Sequence, residues 1–168
     1  MMSRTLEVTV ISGEDLRVSR SLPVKKNAFV TVRADSGDAQ NTGMEKQGGE
    51  GYVAWNQKLT VHLPMHAHYL TLEVQCKTFS GKKCIGVARI PTSDFVGGML
   101  PENYLHFLSY RLRDSHGERN GIINISIVVK EPAITRVTDY SRPCTGVHLP
   151  VPVPNSGAVT GIPVWTTW

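Results

Sequence analysis

Apolar and polar residues alternate with period two in six stretches of this chain. Leu6, Val8 and Val10 alternate with Glu7 and Thr9, and Val30 and Val32 with Thr31 and Arg33. Leu59, Val61 and Leu63 alternate with Lys58, Thr60 and His62. The pattern returns at Leu70, Leu72 and Val74, at Leu108, Tyr110 and Leu112, and at Ile123, Ile125, Ile127 and Val129. A strand turns successive side chains to opposite faces, so each stretch predicts a strand buried on one side. Turn-rich pieces separate them, notably residues 35–51 and the run Ser115-His116-Gly117-Glu118-Arg119-Asn120-Gly121. Residues 93–100 predict a short helix with Ser93 at its N-cap. Regularly spaced strands with almost no helical periodicity predict an all-β antiparallel sandwich.

The pattern stops after residue 131. Residues 132–168 hold six of the ten prolines, and from Val147 onward there is no Asp, Glu, Lys or Arg. Pro150, Pro152 and Pro154 each lack an N–H donor, which bars them from a sheet interior. The expected organisation is therefore a domain over residues 3–131 and an extended, irregular Pro-rich tail over 132–168. Trp165 and Trp168 end that tail. They suit a partner groove or a bilayer interface, or alternatively fold back on the sandwich.

Composition narrows the class. The 168 residues are 40% hydrophobic and 19% charged, enough for one core. No apolar run approaches the roughly 20 residues of a membrane-spanning helix. The first residues lead directly into a strand pattern without a signal-type apolar core, and Cys76, Cys84 and Cys144 make no paired framework. A cytoplasmic setting is the expectation. Cys76 and Cys84 flank one loop, where a small buried hydrophobe is the commoner role and a redox bond the alternative.

Four motifs in order, Leu6 to Leu16, Lys26-Asn27-Ala28-Phe29-Val30, Ala54-Trp55-Asn56-Gln57 and Cys84-Ile85-Gly86, resemble the C2 domain. Leu6-Glu7-Val8-Thr9-Val10-Ile11-Ser12-Gly13-Glu14-Asp15-Leu16 resembles the family's first strand. Lys26-Asn27-Ala28-Phe29-Val30 stands in place of its Ser-Asp-Pro-Tyr-Val, and Ala54-Trp55-Asn56-Gln57 resembles its Trp-Asn-Glu. Cys84-Ile85-Gly86 resembles its Phe-Ile-Gly. The match covers about residues 3–131 and implies an eight-stranded antiparallel C2 β-sandwich. Because the first strand leads straight into loop 1 and Gly121-Ile122-Ile123-Asn124-Ile125-Ser126 closes the domain, the order resembles type II topology. Together with Ser109-Tyr110-Arg111-Leu112-Arg113, this last stretch resembles the small plant C2 proteins of the cold-regulated and BONZAI/copine-associated group.

The resemblance also says where calcium chemistry would lie. Ca²⁺ takes roughly six to eight oxygen ligands, which calcium-binding C2 domains supply from aspartates on two loops. Here those positions fall at Ser21, Asn27, Cys76, Lys77 and Lys83, and none is a carboxylate. Residues 16–34 and 75–90, which hold those two loops, contain no acid but carry Arg17, Arg20, Lys25, Lys26, Arg33, Lys77, Lys82, Lys83 and Arg89. Replacing anionic ligands with cations inverts the local field, so this end is expected to attract anionic lipid headgroups through Arg20, Lys25, Lys26, Lys77, Lys82 and Lys83. Phe79, beside Ser80-Gly81, either inserts into the membrane interface or packs back onto loop 1.

Other chemistry finds little support. His62, His66 and His68 loosely match zinc spacing, but no cysteine completes the set and Pro64 marks a turn. No phosphate-cradling loop, nucleophile elbow or metalloprotease motif occurs, and no recognition helix accompanies the basic residues, which argues against an enzyme or a nucleic-acid binder. The expectation is a non-enzymatic adaptor without cofactor, peripheral at the plasma membrane. It would bind anionic membrane without calcium and recruit a protein partner. The resemblance implies a copine-type partner, a plant defence or stress setting and negative regulation of cell death. A calcium-dependent lipid sensor and a pure protein-interaction domain are the alternatives.

Overall fold

The computed structural model describes residues 3–130 other than Ser36 and Glu102, so the tail expectations, including those for Trp165 and Trp168, lie outside the described residues. The strands are β1 (Ser3–Glu14), β2 (Arg17–Ser19), β3 (Leu22–Pro23), β4 (Ala28–Ala34), β5 (Gln40–Asn41), β6 (Val53–Pro64), β7 (Tyr69–Thr78), β8 (Gly81–Pro91), β9 (Leu105–Arg113) and β10 (Arg119–Lys130). Eight of them run in the order β5-β4-β7-β8-β9-β10-β1-β6, while β2 and β3 form a small separate hairpin. Each of the six alternating stretches falls within one of the long strands.

The eight-stranded ladder is nearly cut in the middle. β8 and β9 share one residue pair, Val87 with Arg113, and the sheet folds there into two layers. Inward residues of β4 and β7 (Val30, Val32, Leu70, Leu72, Val74) and of β1 and β10 (Leu6, Val8, Val10, Ile123, Ile125, Ile127) close one core between them. Burying such side chains is worth about 1.5–3 kcal/mol each, which is why the period-two pattern selects the register. Chain ends matter too: β1 lies between β10 and β6, so first and last strands are neighbours within one layer, as the type II order requires.

Several motif residues have structural reasons. At the seam, a Cβ on Gly86 would meet Leu112 Cβ at 2.8 Å, so the Ile-Gly pair lets β8 and β9 touch. Asn124 accepts from Ser109 Oγ at 2.6 Å and donates to Ser12 Oγ at 3.0 Å, joining β9, β10 and β1 with one amide. Trp55 donates its indole N–H to the Ala28 carbonyl at 3.0 Å, linking the layers through a buried bond.

Two expectations need correction. The helix over 93–100 is a single 3-10 turn, Thr92–Asp94, with Pro91 at its N-cap and no side-chain cap, so Ser93 does not cap it. Gly97 and Gly98, both in the left-handed region, turn the chain away, and Tyr110 donates to Asp94 to hold the short turn on β9. The stretch 75–90, expected to carry a loop, is mostly strand. β7 and β8 pair down to Thr78 with Gly81, leaving a two-residue turn of Phe79 and Ser80.

At the opposite end Asp35 accepts the backbone N–H groups of His68 at 2.8 Å and Tyr69 at 3.2 Å, bracing the β6–β7 turn. The bond from the His68 N–H, chiefly, holds its carboxyl below the ordinary aspartate range. A depressed folded-state pKa gives stability that is present above the unfolded value, about 3.9, and lost as pH falls through the folded one. The stability gap between wild type and Asp35→Asn is therefore expected to be largest near neutral pH and to close in acid. Urea melts across pH check this; a gap that widens in acid would contradict it.

Candidate functional site

The end of the sandwich bearing loop 1 is built on buried anchors. Leu16 and Val24 are fully buried, and Leu16 donates to Gly51 and accepts from Val24 at 3.0 and 2.9 Å, so loop 1 folds as a compact hairpin around β2 and β3. Its return limb is strapped to β7. Asn27, left-handed at φ 62°, accepts from the Lys77 N–H at 3.0 Å, and the Cys76 thiol donates to the Lys26 carbonyl at 3.3 Å.

These straps bring together Asn27, Cys76 and Lys77, three of the five positions at which the resemblance places the family's calcium ligands. Lys83 is paired with Cys76 across the hairpin and reaches the Val18 carbonyl of β2 at 2.5 Å. Its ammonium joins β8 to loop 1. Ser21 is exposed in the turn between β2 and β3. Among the described residues, no group of three or more His, Cys, Asp or Glu side chains could hold a metal ion, His62, His66 and His68 included.

Between loop 1 and the β7–β8 turn runs an open trough of about 590 Å³. Val18, Leu22, Pro23, Met44, Cys76 and Phe79 supply its apolar surface, and Lys25, Lys26 and Lys77 its charge. All three lysines are exposed, and no carboxylate among the described residues pairs with them. Glu45 is spent locally, accepting the Gln47 N–H at 3.0 Å. Phe79 projects from the turn fully exposed, so it does not pack back onto loop 1. Thr78 stiffens that turn by donating to the Gly81 carbonyl at 2.9 Å.

The remaining cations differ from expectation. Lys77 lies on β7 and Lys82 and Lys83 on β8, not on a long loop. Lys82 stands over the Phe29 ring at 5.4 Å. Arg89 lies toward the far end of β8, where it covers the Tyr69 ring at 4.3 Å. Arg20 has Glu118 at 3.4 Å and Arg17 has Asp15 at 3.3 Å, all exposed. The acids that temper the arginine side come from outside the two acid-free windows. The β9–β10 turn, distant in sequence, lies beside loop 1 in the fold: Asn120, at the start of β10, bonds the Arg17 N–H and carbonyl at 3.0 and 2.8 Å. The lysine trough is thus the acid-poor half of this end, and the arginine side is mixed.

Cys76 and Cys84 are free. Cys76 is buried and packs as a small hydrophobe, while Cys84 is half-buried and pairs with Gln75, on the other face of β7. Burial pushes both thiols up, with Glu73 adding to the effect at Cys84, so neither has the thiolate character of a nucleophile.

Comparison with known proteins agrees with the geometry. A family model described as "C2 domain" matches residues 4–107, ending within β9. The chain is 41% identical over 131 residues to BON1-associated protein 2 of Arabidopsis thaliana, a match covering 76% of this chain and 62% of that protein's length. Among solved structures, a C2 domain of plant Extended Synaptotagmin 1 superposes with a TM-score of 0.62 at 13% identity, covering 77% of this chain and 95% of that one. Human GIVD cytosolic phospholipase A2 gives 0.60 at 12% identity over 79% of this chain and 18% of its own. With the family match spanning most of the sandwich and the strand order in agreement, the chain belongs to the C2 domain family.

Proposed function

We propose that this protein is a non-enzymatic adaptor that binds anionic membrane through the lysine trough without calcium and recruits a protein partner. One observation carries the membrane half. Lys25, Lys26 and Lys77, unpaired by any described carboxylate, rim an apolar trough topped by the exposed ring of Phe79. Cations near an anionic leaflet are each worth about 1 kcal/mol, and an inserted ring adds apolar burial. At the positions where calcium would be held stand Ser21, Asn27, Cys76, Lys77 and Lys83, which is the support for calcium independence. The partner half draws on the relative, whose name states an association with BON1. By that likeness the partner is a copine-type protein, and the setting is plant defence or stress with restraint of cell death at the plasma membrane.

Co-sedimentation with vesicles of phosphatidylcholine and phosphatidylserine tests the membrane half. Binding is expected to be equal in calcium and in chelator, to fall steeply with added salt, and to vanish on pure phosphatidylcholine. Binding that disappears in chelator would overturn the proposal in favour of a calcium sensor. No binding in any condition leaves a pure protein-interaction domain.

A further inference from the structure

A second basic site lies along the side of the sandwich, where its layers part. Gly86 and Leu112 pinch β8 and β9 together, and beyond the single pair Val87 with Arg113 no ladder joins the two strands. An open groove of about 600 Å³ follows, lined by Val87, Ala88, Arg89, Arg111, Arg113 and Asp114 among others. Its floor is apolar and its walls carry three arginines.

Those arginines are exposed, and no carboxylate among the described residues pairs with them. Arg113 donates through Nη1 to the Gly117 carbonyl at 3.0 Å, and Arg89 lies on Tyr69. The nearby acids are engaged by other donors: Asp114 accepts the N–H groups of His116 and Glu118, both at 2.9 Å, Glu73 accepts from Gln75 at 2.9 Å, and Asp35, which also feels the Arg89 charge, accepts the His68 and Tyr69 N–H groups. The loop end uses lysines, compact charges on flexible stems, whereas this groove uses guanidinium forks, which suit paired carboxylate oxygens.

β9 adds a backbone component. It pairs with β10 along one side, and among the described residues its other side has no ladder partner from Leu105 to Leu112. An edge of this kind takes an added strand, whose backbone supplies affinity while alternate side chains supply specificity. The side chains that β9 presents outward are Leu105 and Phe107 at one end, both exposed, and Arg111 and Arg113 at the other.

We propose that the β8–β9 groove receives an extended segment of a partner protein, added antiparallel to β9 between Leu112 and Leu105, with acidic residues first, opposite Arg111 and within reach of the Arg113 side chain, and apolar residues after, opposite Phe107 and Leu105. The antiparallel sense follows every other pairing in the sheet. This specifies the recognition chemistry for the partner half of the function above, rests on it only to that extent, and is independent of the lipid half.

The test uses the full chain and a synthetic peptide alternating Glu and Thr in its first half and Val and Thr in its second. Backbone amide shifts are expected along β9 and in Ala88 and Arg89, with weakening in high salt. The same residues in reversed order, or Lys in place of Glu, are expected to bind at least about tenfold more weakly. Arg111→Glu should abolish the shifts and Arg111→Lys should weaken them, since lysine keeps the charge but loses the fork. Both variants should still bind phosphatidylserine vesicles as wild type does, which separates this site from the trough. Absence of binding, equal binding of the reversed peptide, or shifts centred on Lys25, Lys26 and Lys77 would each overturn the inference.

Discussion

Reversing Lys25, Lys26 and Lys77 together to glutamate should lower affinity for anionic vesicles by about a hundredfold or more. Each cation near the leaflet contributes about 1 kcal/mol, so three neutralised charges remove about 3 kcal/mol, and about 1.4 kcal/mol is tenfold. Reversal goes further, because the new carboxylates are repelled by the same headgroups. The fold should tolerate the change: all three side chains are exposed and none has a carboxylate partner among the described residues. Arg20 provides the contrast. With Glu118 at 3.4 Å its charge is already partly balanced, so Arg20→Glu is expected to matter less than any one of the three lysines. Vesicle titration at two salt concentrations checks both statements. Unchanged affinity in the triple variant, with its melting curve intact, would remove the trough from the membrane-binding surface.

Gly121→Val is expected to be among the most destabilising single changes outside the core. Gly121 has φ +82°, and a Cβ there would meet the Glu14 carbonyl oxygen at 2.4 Å and that of Asp15 at 2.9 Å. A β-branched residue held at positive φ costs about 1–3 kcal/mol by itself, and backbone oxygens cannot move aside without shifting the end of β1. A total loss above about 3 kcal/mol in urea denaturation is the expectation. Gly117 separates the two contributions, because it has φ +78° with nothing within 4 Å of an added Cβ. Gly117→Ala should therefore cost only the conformational part, on the order of 1 kcal/mol. Equal costs at the two sites would show that the contact with β1 is not what demands glycine at 121.

These two positions also mark what could be read from residues alone. Strands facing solvent on one side announce themselves by alternation, which is why β1, β4, β6, β7, β9 and β10 were legible. β8 was not. Its first residues are polar, and a register shift opposite Val74 and Gln75 buries Ile85 and Gly86 in succession, which breaks the two-residue period. Once β8 is a strand, Lys82 and Lys83 take fixed positions beside Phe29 and Val18, and Arg89 moves to the far end. Within the site, the grouping of Asn27, Cys76 and Lys77 follows from motif spacing. The balancing of Arg20 by Glu118 does not, because the two are 98 residues apart and meet only when β10 returns beside β1. Local charge windows are blind to such neighbours.

The two-residue turn at Phe79 also has a kinetic meaning. A long loop would carry several side chains into the acyl region, whereas this turn presents one ring, worth about 1.5–3 kcal/mol if fully buried. In the proposed membrane mode, the rest of the attraction would come from lysines acting through water, over a Debye length of about 10 Å in 0.1 M salt. On that proposal, arrival would be steered by charge, and departure would require withdrawal of a single side chain. Short dwell times and rapid rebinding are then the expected result, with residence on a membrane set by its instantaneous anionic lipid content and prolonged by avidity when a partner is held at the same time.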